Sequence, residues 1–301
     1  MRVRPACLIL LAVCLAAPAR AEPVVVGSKI DTEGALLGNM ILLVLAKAGI
    51  PVASKIQLGP TNIVRSAILA GQIDIYPEYT GNGARFFKME TDPVWRDAAR
   101  GYATVQRLDR ERNGLVWLAP APANNTWAIA VRKALAARIG ASLDGFARYV
   151  EGGGAVRLAA SAEFVESPGG LAAFEAAYRF TLRQGQLLVL AGGDTAATIR
   201  AAAEGISDVN AGMAYGTDGA LAALGLVVLA DDKGAELVYE AAPVVRTATL
   251  AAYPAIPGLL DPVFRSLTLE TLQRLNAAVA VDGDDAKQVA ADYLGGGTAQ
   301  R

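Results

Sequence analysis

From Val24 onward, short β-branched runs alternate with helix-length apolar stretches, and this alternation limits the chain to folds in which helices cover mostly parallel strands. Val24-Val25-Val26, closed by Gly27, reads as a buried strand. Thr32 can cap a helix running to about Ala48, with Glu33 well placed near its positive end. The apolar positions Leu36, Leu37, Met40, Ile41, Val44 and Leu45 cover more than one face of that helix, which predicts burial on several sides. Gly49 stops it. A strand over 50–58, a helix over 61–71 with Ile63, Val64, Ala67 and Ile68 inward, and a strand over 73–76 complete a βαβαβ order and predict a largely parallel sheet.

The rhythm restarts after a polar, proline-bearing stretch at 120–126. Strands are predicted at 127–131 and 156–160, followed by a helix near 171–180. A strand at 187–190 leads through Gly192-Gly193-Asp194 into a helix starting at Thr195, and strands at 209–214 and 226–229 complete the second set. Another strand is expected from Pro243 to Leu250, and two amphipathic helices, 268–280 and 284–294, close the chain. At roughly 150 residues per domain, the length suffices for two α/β lobes. Ligands of open α/β sheets lie outside the carboxyl ends of the strands, so two lobes would hold a ligand in the crevice between them, where a hinge can trap it.

The chain begins like a secretory leader: Arg2 and Arg4 give a positive start, 8–17 an apolar stretch, and Ala19-Arg20-Ala21 a cleavage site. A lipobox-like string, Leu11-Ala12-Val13-Cys14, is the rival reading, weakened by the bulk of Val13. Cleavage after Ala21 removes both cysteines, Cys7 and Cys14, and lowers the basic count from 28 to 25 against 29 acidic residues, a net charge near −4. What remains has neither Cys nor His, which excludes zinc fingers, haem–His sites, thiol nucleophiles and Ser-His-Asp triads. Mild acidity without basic runs argues against nucleic acid. Although 53% of the residues are hydrophobic, the densest uncharged run after the leader, 34–46, is far shorter than the roughly 20 residues that span a bilayer. An exported, soluble periplasmic protein is expected, with no metal and no cofactor.

Three local motifs are candidates for a site. Gly27-Ser28-Lys29 follows a strand but lacks the spacing of a phosphate loop; it reads either as a turn with an exposed lysine or as a cation aimed into the crevice. Gly192-Gly193-Asp194-Thr195 reads as a tight turn and helix cap. Tyr76-Pro77-Glu78-Tyr79-Thr80-Gly81 concentrates two tyrosines and a glutamate at the end of a predicted strand. Further aromatics stand at strand ends in Asn124-Asn125-Thr126-Trp127, Tyr215-Gly216-Thr217-Asp218 and Leu237-Val238-Tyr239-Glu240. Taken singly, a tryptophan or tyrosine at such a place is more often core than ligand contact. Several aromatic faces converging without metal or thiol chemistry suit a quaternary ammonium, a cation with no hydrogen to donate that is attracted to ring quadrupoles by about 0.5–2 kcal/mol per face.

These strings carry a resemblance. Val26-Gly27-Ser28-Lys29, residues 73–81, Asn124-Asn125-Thr126-Trp127 through Val131, Ala214 through Gly219 and Ala242-Pro243-Val244-Val245-Arg246 are together similar to the periplasmic substrate-binding proteins of ABC importers for glycine betaine, choline, carnitine and related osmoprotectants. The resemblance spans nearly the whole chain after the leader. It implies the bilobal periplasmic-binding-protein fold of type II, an α/β fold with two crossings near 120–127 and 238–245. The expected divisions are a leader at 1–21, lobe one at 22–123 and 239–301, and lobe two at 124–238.

The resemblance also implies a cage of Tyr79, Trp127, Tyr215 and Tyr239, with Lys29 meeting a ligand carboxylate and Thr80 and Asn82 along the same wall. Relatives commonly carry an arginine that grips the carboxylate where this chain has Ser167. Its loss costs on the order of 1.5–3 kcal/mol and predicts a loose grip on betaines, or preference for another quaternary compound. The implied partners are a membrane permease and its cytoplasmic ATPase, with the binding protein acting as a monomer. Two rival functions remain open: a periplasmic enzyme using Glu78, Asp74 or Asp218 as acid or base, and a ligand-sensing module sharing the same cage.

Overall fold

The computed structural model describes residues 22–167, 169–190 and 195–296. The predicted leader and the Gly192-Gly193-Asp194 turn lie outside the described residues. The first lobe opens with β1 (Val24–Lys29), α1 (Thr32–Lys47), β2 (Val52–Gly59), α2 (Thr61–Leu69) and β3 (Ile75–Tyr79). It continues through α3 (Gly83–Phe86), α4 (Ala98–Asn113) and β4 (Leu115–Trp117). The second lobe runs β5 (Trp127–Arg132), α5 (Lys133–Ile139), α6 (Leu143–Glu151), β6 (Leu158–Ser161), α7 (Ala162–Glu166) and α8 (Leu171–Tyr178). After these come β7 (Leu187–Leu190), α9 (Thr195–Glu204), β8 (Ala211–Tyr215), α10 (Ala220–Ala223) and β9 (Leu226–Val228). The chain then returns as β10 (Ala241–Arg246), α11 (Thr247–Ala252), α12 (Ile256–Arg265), α13 (Leu269–Ala280) and α14 (Ala286–Leu294).

Two five-stranded sheets result, ordered β2-β1-β3-β10-β4 and β7-β6-β8-β5-β9. Both are mixed rather than largely parallel. In the first, β2, β1 and β3 run parallel, while β10 is antiparallel to β3 and β4. In the second, β7, β6 and β8 are parallel, and β5 is antiparallel to β8 and β9. In each sheet the antiparallel insertion is a strand that enters directly from a crossing segment, so it pairs without the helical crossover that a parallel strand needs.

The apolar faces of α1 find partners on opposite sides. Leu36, Leu37, Met40, Ile41 and Leu45 are fully buried, and the helix packs on β1, β2 and β3 as well as against α12, α13 and α14. At about 1.5–3 kcal/mol per buried large side chain, this helix anchors the return of the chain terminus to lobe one. Its cap is Asp31, whose carboxylate accepts the Gly34 N–H at 2.7 Å, rather than Thr32, which already lies inside the helix.

Other expectations are corrected locally. β1 continues past Gly27, so Gly27-Ser28-Lys29 is strand rather than turn, and Lys29 is buried. Ile63 is exposed on α2. The strand expected to reach Leu250 stops at Arg246, where that side chain pairs with Asp74 at 3.2 Å and α11 begins. Among the described residues no helix is long and apolar enough to cross a membrane.

The lobes are joined by segments 118–126 and 229–240, which hydrogen-bond to one another. Asn125 N–H donates to the Tyr239 carbonyl at 2.9 Å and Tyr239 N–H to Asn124 Oδ1 at 2.8 Å, while Ala121 N–H donates to the carbonyl of Ala241, the first residue of β10, at 2.8 Å. A third contact lies between α13 and the turn after β8: Gln273 Nε2 donates to the Gly216 carbonyl at 2.8 Å and Asn276 Nδ2 to the Thr217 carbonyl at 2.9 Å.

Candidate functional site

Lys29 and Tyr79 end the adjacent parallel strands β1 and β3, at the carboxyl edge where this architecture holds ligands. The Lys29 ammonium lies 2.5 Å from Glu78 Oε1 and 4.5 Å from the centre of the Tyr79 ring. Glu78 is fully buried and also accepts from the Tyr79 N–H at 2.7 Å, Asn82 Nδ2 at 2.8 Å and the Tyr76 hydroxyl at 3.1 Å. The lysine charge is therefore already neutralised within the protein, and Asn82 is turned toward the same carboxylate. The Thr80 hydroxyl donates to the Val238 carbonyl at 3.0 Å and accepts the Glu240 N–H at 3.1 Å, tying the end of β3 to the return crossing.

Trp127 begins β5 and Tyr215 ends β8, and the antiparallel register sets them directly opposite. Both are half-buried. The indole packs edge-to-face on Phe164, 5.6 Å between centroids at 85°. Its N–H lies near the Tyr215 hydroxyl but outside hydrogen-bond geometry, so it is buried without a partner. Burial pushes the Tyr215 phenol up to about 12. Tyr239, also half-buried, lies in the return crossing with its ring close against Gly81, where a Cβ would approach ring carbons to 2.7 Å. Burial also raises its phenol, with the neighbouring Glu236 and Tyr215 adding to the shift.

Three of the four expected cage rings, Trp127, Tyr215 and Tyr239, thus gather at the junction of the lobes with part of their surface open. Tyr79 differs: it is buried, one face lies under the Lys29 ammonium, and its hydroxyl donates to Glu33 Oε1 at 2.8 Å. Ser167 follows directly on α7 and is half-buried.

Sequence reasoning missed the polar centre of this junction. Glu33, which it valued only as a favourable charge near a helix start, also accepts from Asn125 Nδ2 at 3.1 Å and Asn276 Nδ2 at 2.7 Å. It links α1 and β3 to a crossing segment and to α13. The Asn124-Asn125 pair was visible in the sequence. Nothing local marked Asn276, because its partner lies 243 positions away.

The acids considered for catalysis each brace the backbone or a buried pair. Asp74 accepts the Val25 N–H at 2.8 Å and pairs with Arg246, Asp218 accepts the Tyr215 N–H at 2.7 Å, and Glu78 holds Lys29.

Glu236, in the return crossing, is buried with Oε1 unpartnered, and burial, with Asp231 adding, pushes its carboxyl up to about 9. The folded protein thus binds a proton more tightly there than the unfolded chain does, so stability should fall as pH rises from the ordinary carboxylate range toward 9. The expected loss between pH 5 and pH 8 is about 2–4 kcal/mol. Glu236→Gln should remove it, and urea unfolding of both proteins at the two pH values checks this. Equal slopes in wild type and variant would exclude Glu236 as the cause.

Two α/β lobes, a pair of hydrogen-bonded crossings and open aromatic surface at the junction define a solute-binding protein of the periplasmic-binding-protein class. A profile for the substrate-binding domain of ABC-type glycine betaine transport systems matches residues 22–296, and the chain belongs to that family. It is 60% identical over 275 residues to the glycine betaine-binding protein YehZ of Escherichia coli, covering 91% of this chain and 90% of the relative. It is 33% identical over 299 residues to a glycine-betaine-binding protein of Pseudomonas aeruginosa, covering 97% and 93%. The structure of apo YehZ from Escherichia coli superposes with a TM-score of 0.81 at 59% identity, over 92% of this chain and 99% of that one. A structure described as a glycine betaine/carnitine/choline ABC transporter shares the fold at a TM-score of 0.80 and 20% identity, over 91% and 98%.

Proposed function

We propose that this protein is the periplasmic receptor of an ABC importer, without catalytic activity, and that it captures a quaternary-ammonium osmolyte of the glycine betaine, choline or carnitine type. The observation that carries this reading is the gathering of Trp127, Tyr215 and Tyr239, from lobe two and the return crossing, at one half-open place. Ring faces attract a methylated cation that no carboxylate can hydrogen-bond, by about 0.5–2 kcal/mol each, and a few of them make micromolar binding attainable after association costs. The relatives at 60% and 33% identity are glycine betaine-binding proteins, which supports the same ligand class.

In this reading the leader is removed after Ala21, residues 22–123 with 239–301 form lobe one, and 124–238 form lobe two. Tyr79, Lys29, Thr80 and Asn82 make the wall on the lobe-one side. Because Glu78 neutralises Lys29 and Ser167 offers no charge, the site grips a ligand carboxylate loosely. Binding favours the state in which the rings surround the cation, and that state docks on a permease served by a cytoplasmic ATPase. The receptor acts as a monomer.

A thermal-shift screen of the protein without its leader, against quaternary amines with and without carboxylates, tests the proposal. A ligand held 100-fold above its dissociation constant should add about 2.7 kcal/mol to stability. Absence of any shift across the quaternary amines at millimolar concentration would refute it, and chemical change of a recovered ligand would point to the enzyme reading.

A further inference from the structure

The buried ionisable groups around Tyr79 do not balance. Glu33, Glu78 and Lys29 are 5%, 0% and 6% exposed. Lys29 is held by Glu78, so its charge is used. Glu33 is met only by neutral groups, the Tyr79 hydroxyl, the side-chain amides of Asn125 and Asn276, and Thr217, and among the described residues no ion pair reaches it. A carboxylate taken out of water is costly without a cationic partner. These neutral partners and the positive end of α1 offset part of that cost. The two amides are only half used, since Oδ1 of Asn125 and Oδ1 of Asn276 are buried without partners. The cluster is one positive charge short, and the deficit lies directly behind the phenol of Tyr79.

We infer that Glu33 is the counter-charge of the ligand's cation, acting through the Tyr79 hydroxyl as a positioning residue that makes the site select for positive charge. This rests on the quaternary-ammonium reading given above. A phenol that donates to a carboxylate carries more negative potential on its ring, and a more negative face holds a cation more strongly. The carboxylate also acts on the cation through an interior of low dielectric. An uncharged molecule of the same shape gains from neither effect.

Burial lifts the Glu33 carboxyl above its ordinary value, opposed by hydrogen bonding from Thr217, Tyr79 and Asn276 and reinforced by Asp31. The groups facing it are Asp31 just before α1, Tyr79 of β3, Asn125 of the crossing, Thr217 after β8 and Asn276 of α13. Of these only Asp31 and Tyr79 carry ionisable side chains, and burial with the nearby Glu33 keeps the Tyr79 phenol well above its ordinary value. Affinity for a permanently charged amine should therefore fall as pH drops through the Glu33 titration.

The test is calorimetry on the protein without its leader, wild type and Glu33→Gln, with choline and with its uncharged carbon isostere dimethylbutanol. Glutamine keeps the size of the side chain, and a flipped Asn125 or Asn276 presents its idle oxygen to the new amide. Glu33→Gln should weaken choline about tenfold, change the isostere less than about twofold, and abolish the fall of choline affinity on acidification. Equal weakening of both ligands would mean a purely structural role and overturn the inference, as would unchanged choline affinity. If the variant does not fold, or the isostere binds below detection, the wild-type pH profile decides: choline affinity that stays flat on acidification over the whole range in which the protein remains folded overturns the inference. A wild type that binds no quaternary amine fails the ligand reading itself, a result distinct from either of these.

Discussion

Trp127→Ala is expected to weaken binding of a quaternary amine by at least about tenfold, measured by calorimetry on the protein without its leader. The indole is the strongest ring face among the candidates, and it stands at the first position of β5 opposite Tyr215. Its loss removes a cation contact and the water exclusion provided by a large ring. Part of the indole surface is open and it packs at the edge of the lobe-two core rather than inside it, so the fold should survive the change. Trp127→Phe, which keeps a ring face, should recover most of the affinity. Unchanged binding in the alanine variant would remove Trp127 from the site. Tyr79→Ala is a less specific probe, because that ring also supports Lys29 and its hydroxyl serves Glu33.

The largest expected loss of stability lies elsewhere, at Asp109. Its carboxylate is fully buried and receives both terminal nitrogens of the Arg65 guanidinium, the Trp117 indole N–H at 2.7 Å and Asn113 Nδ2 at 2.7 Å. Arg65 is itself buried, stacked 4.3 Å from the Phe86 ring centre. Asp109→Ala leaves a buried guanidinium without its counter-charge and an indole N–H without an acceptor. Removing one partner of such a pair costs about 3–5 kcal/mol. Urea unfolding at neutral pH measures it, and a loss below about 1 kcal/mol would mean that solvent reaches Arg65 and replaces the carboxylate. A double variant, Arg65→Met with Asp109→Leu, should recover much of the loss, since apolar replacement of both partners leaves no unpaired charge.

How much of this was legible in the sequence depended on whether the controlling interaction was local. The long apolar helix α1, the strand starting at Trp127 and the two closing helices carry their own periodicity and were found within a few residues. α4 was not, because its 16 residues are strongly polar and only Gly101, Val105, Leu108 and Asp109 turn inward. β4, three residues long, has no period to detect and is defined by its pairing with β10. α12 carries Pro262 in its interior, a signal that argues against helix when read alone.

The candidate site divides in the same way. The aromatic positions were conspicuous because tyrosine and tryptophan cluster at strand ends. Their states were not: Tyr79 is covered, packed in the lobe-one core with Lys29 over one face, while Trp127, Tyr215 and Tyr239 keep open surface.

Residue types and local spacing alone determined that this chain forms α/β lobes, that it has no thiol or imidazole chemistry beyond its first 21 residues, and that aromatic groups dominate its functional strings. Only the tertiary structure decided that Lys29 spends its charge on Glu78, that Glu33 has none to meet its own, and that Asn276 reaches back across the chain to it. Periodicity reports what a residue does to its neighbours three or four positions away. Which charges are balanced depends on groups that folding brings together from far apart in the sequence.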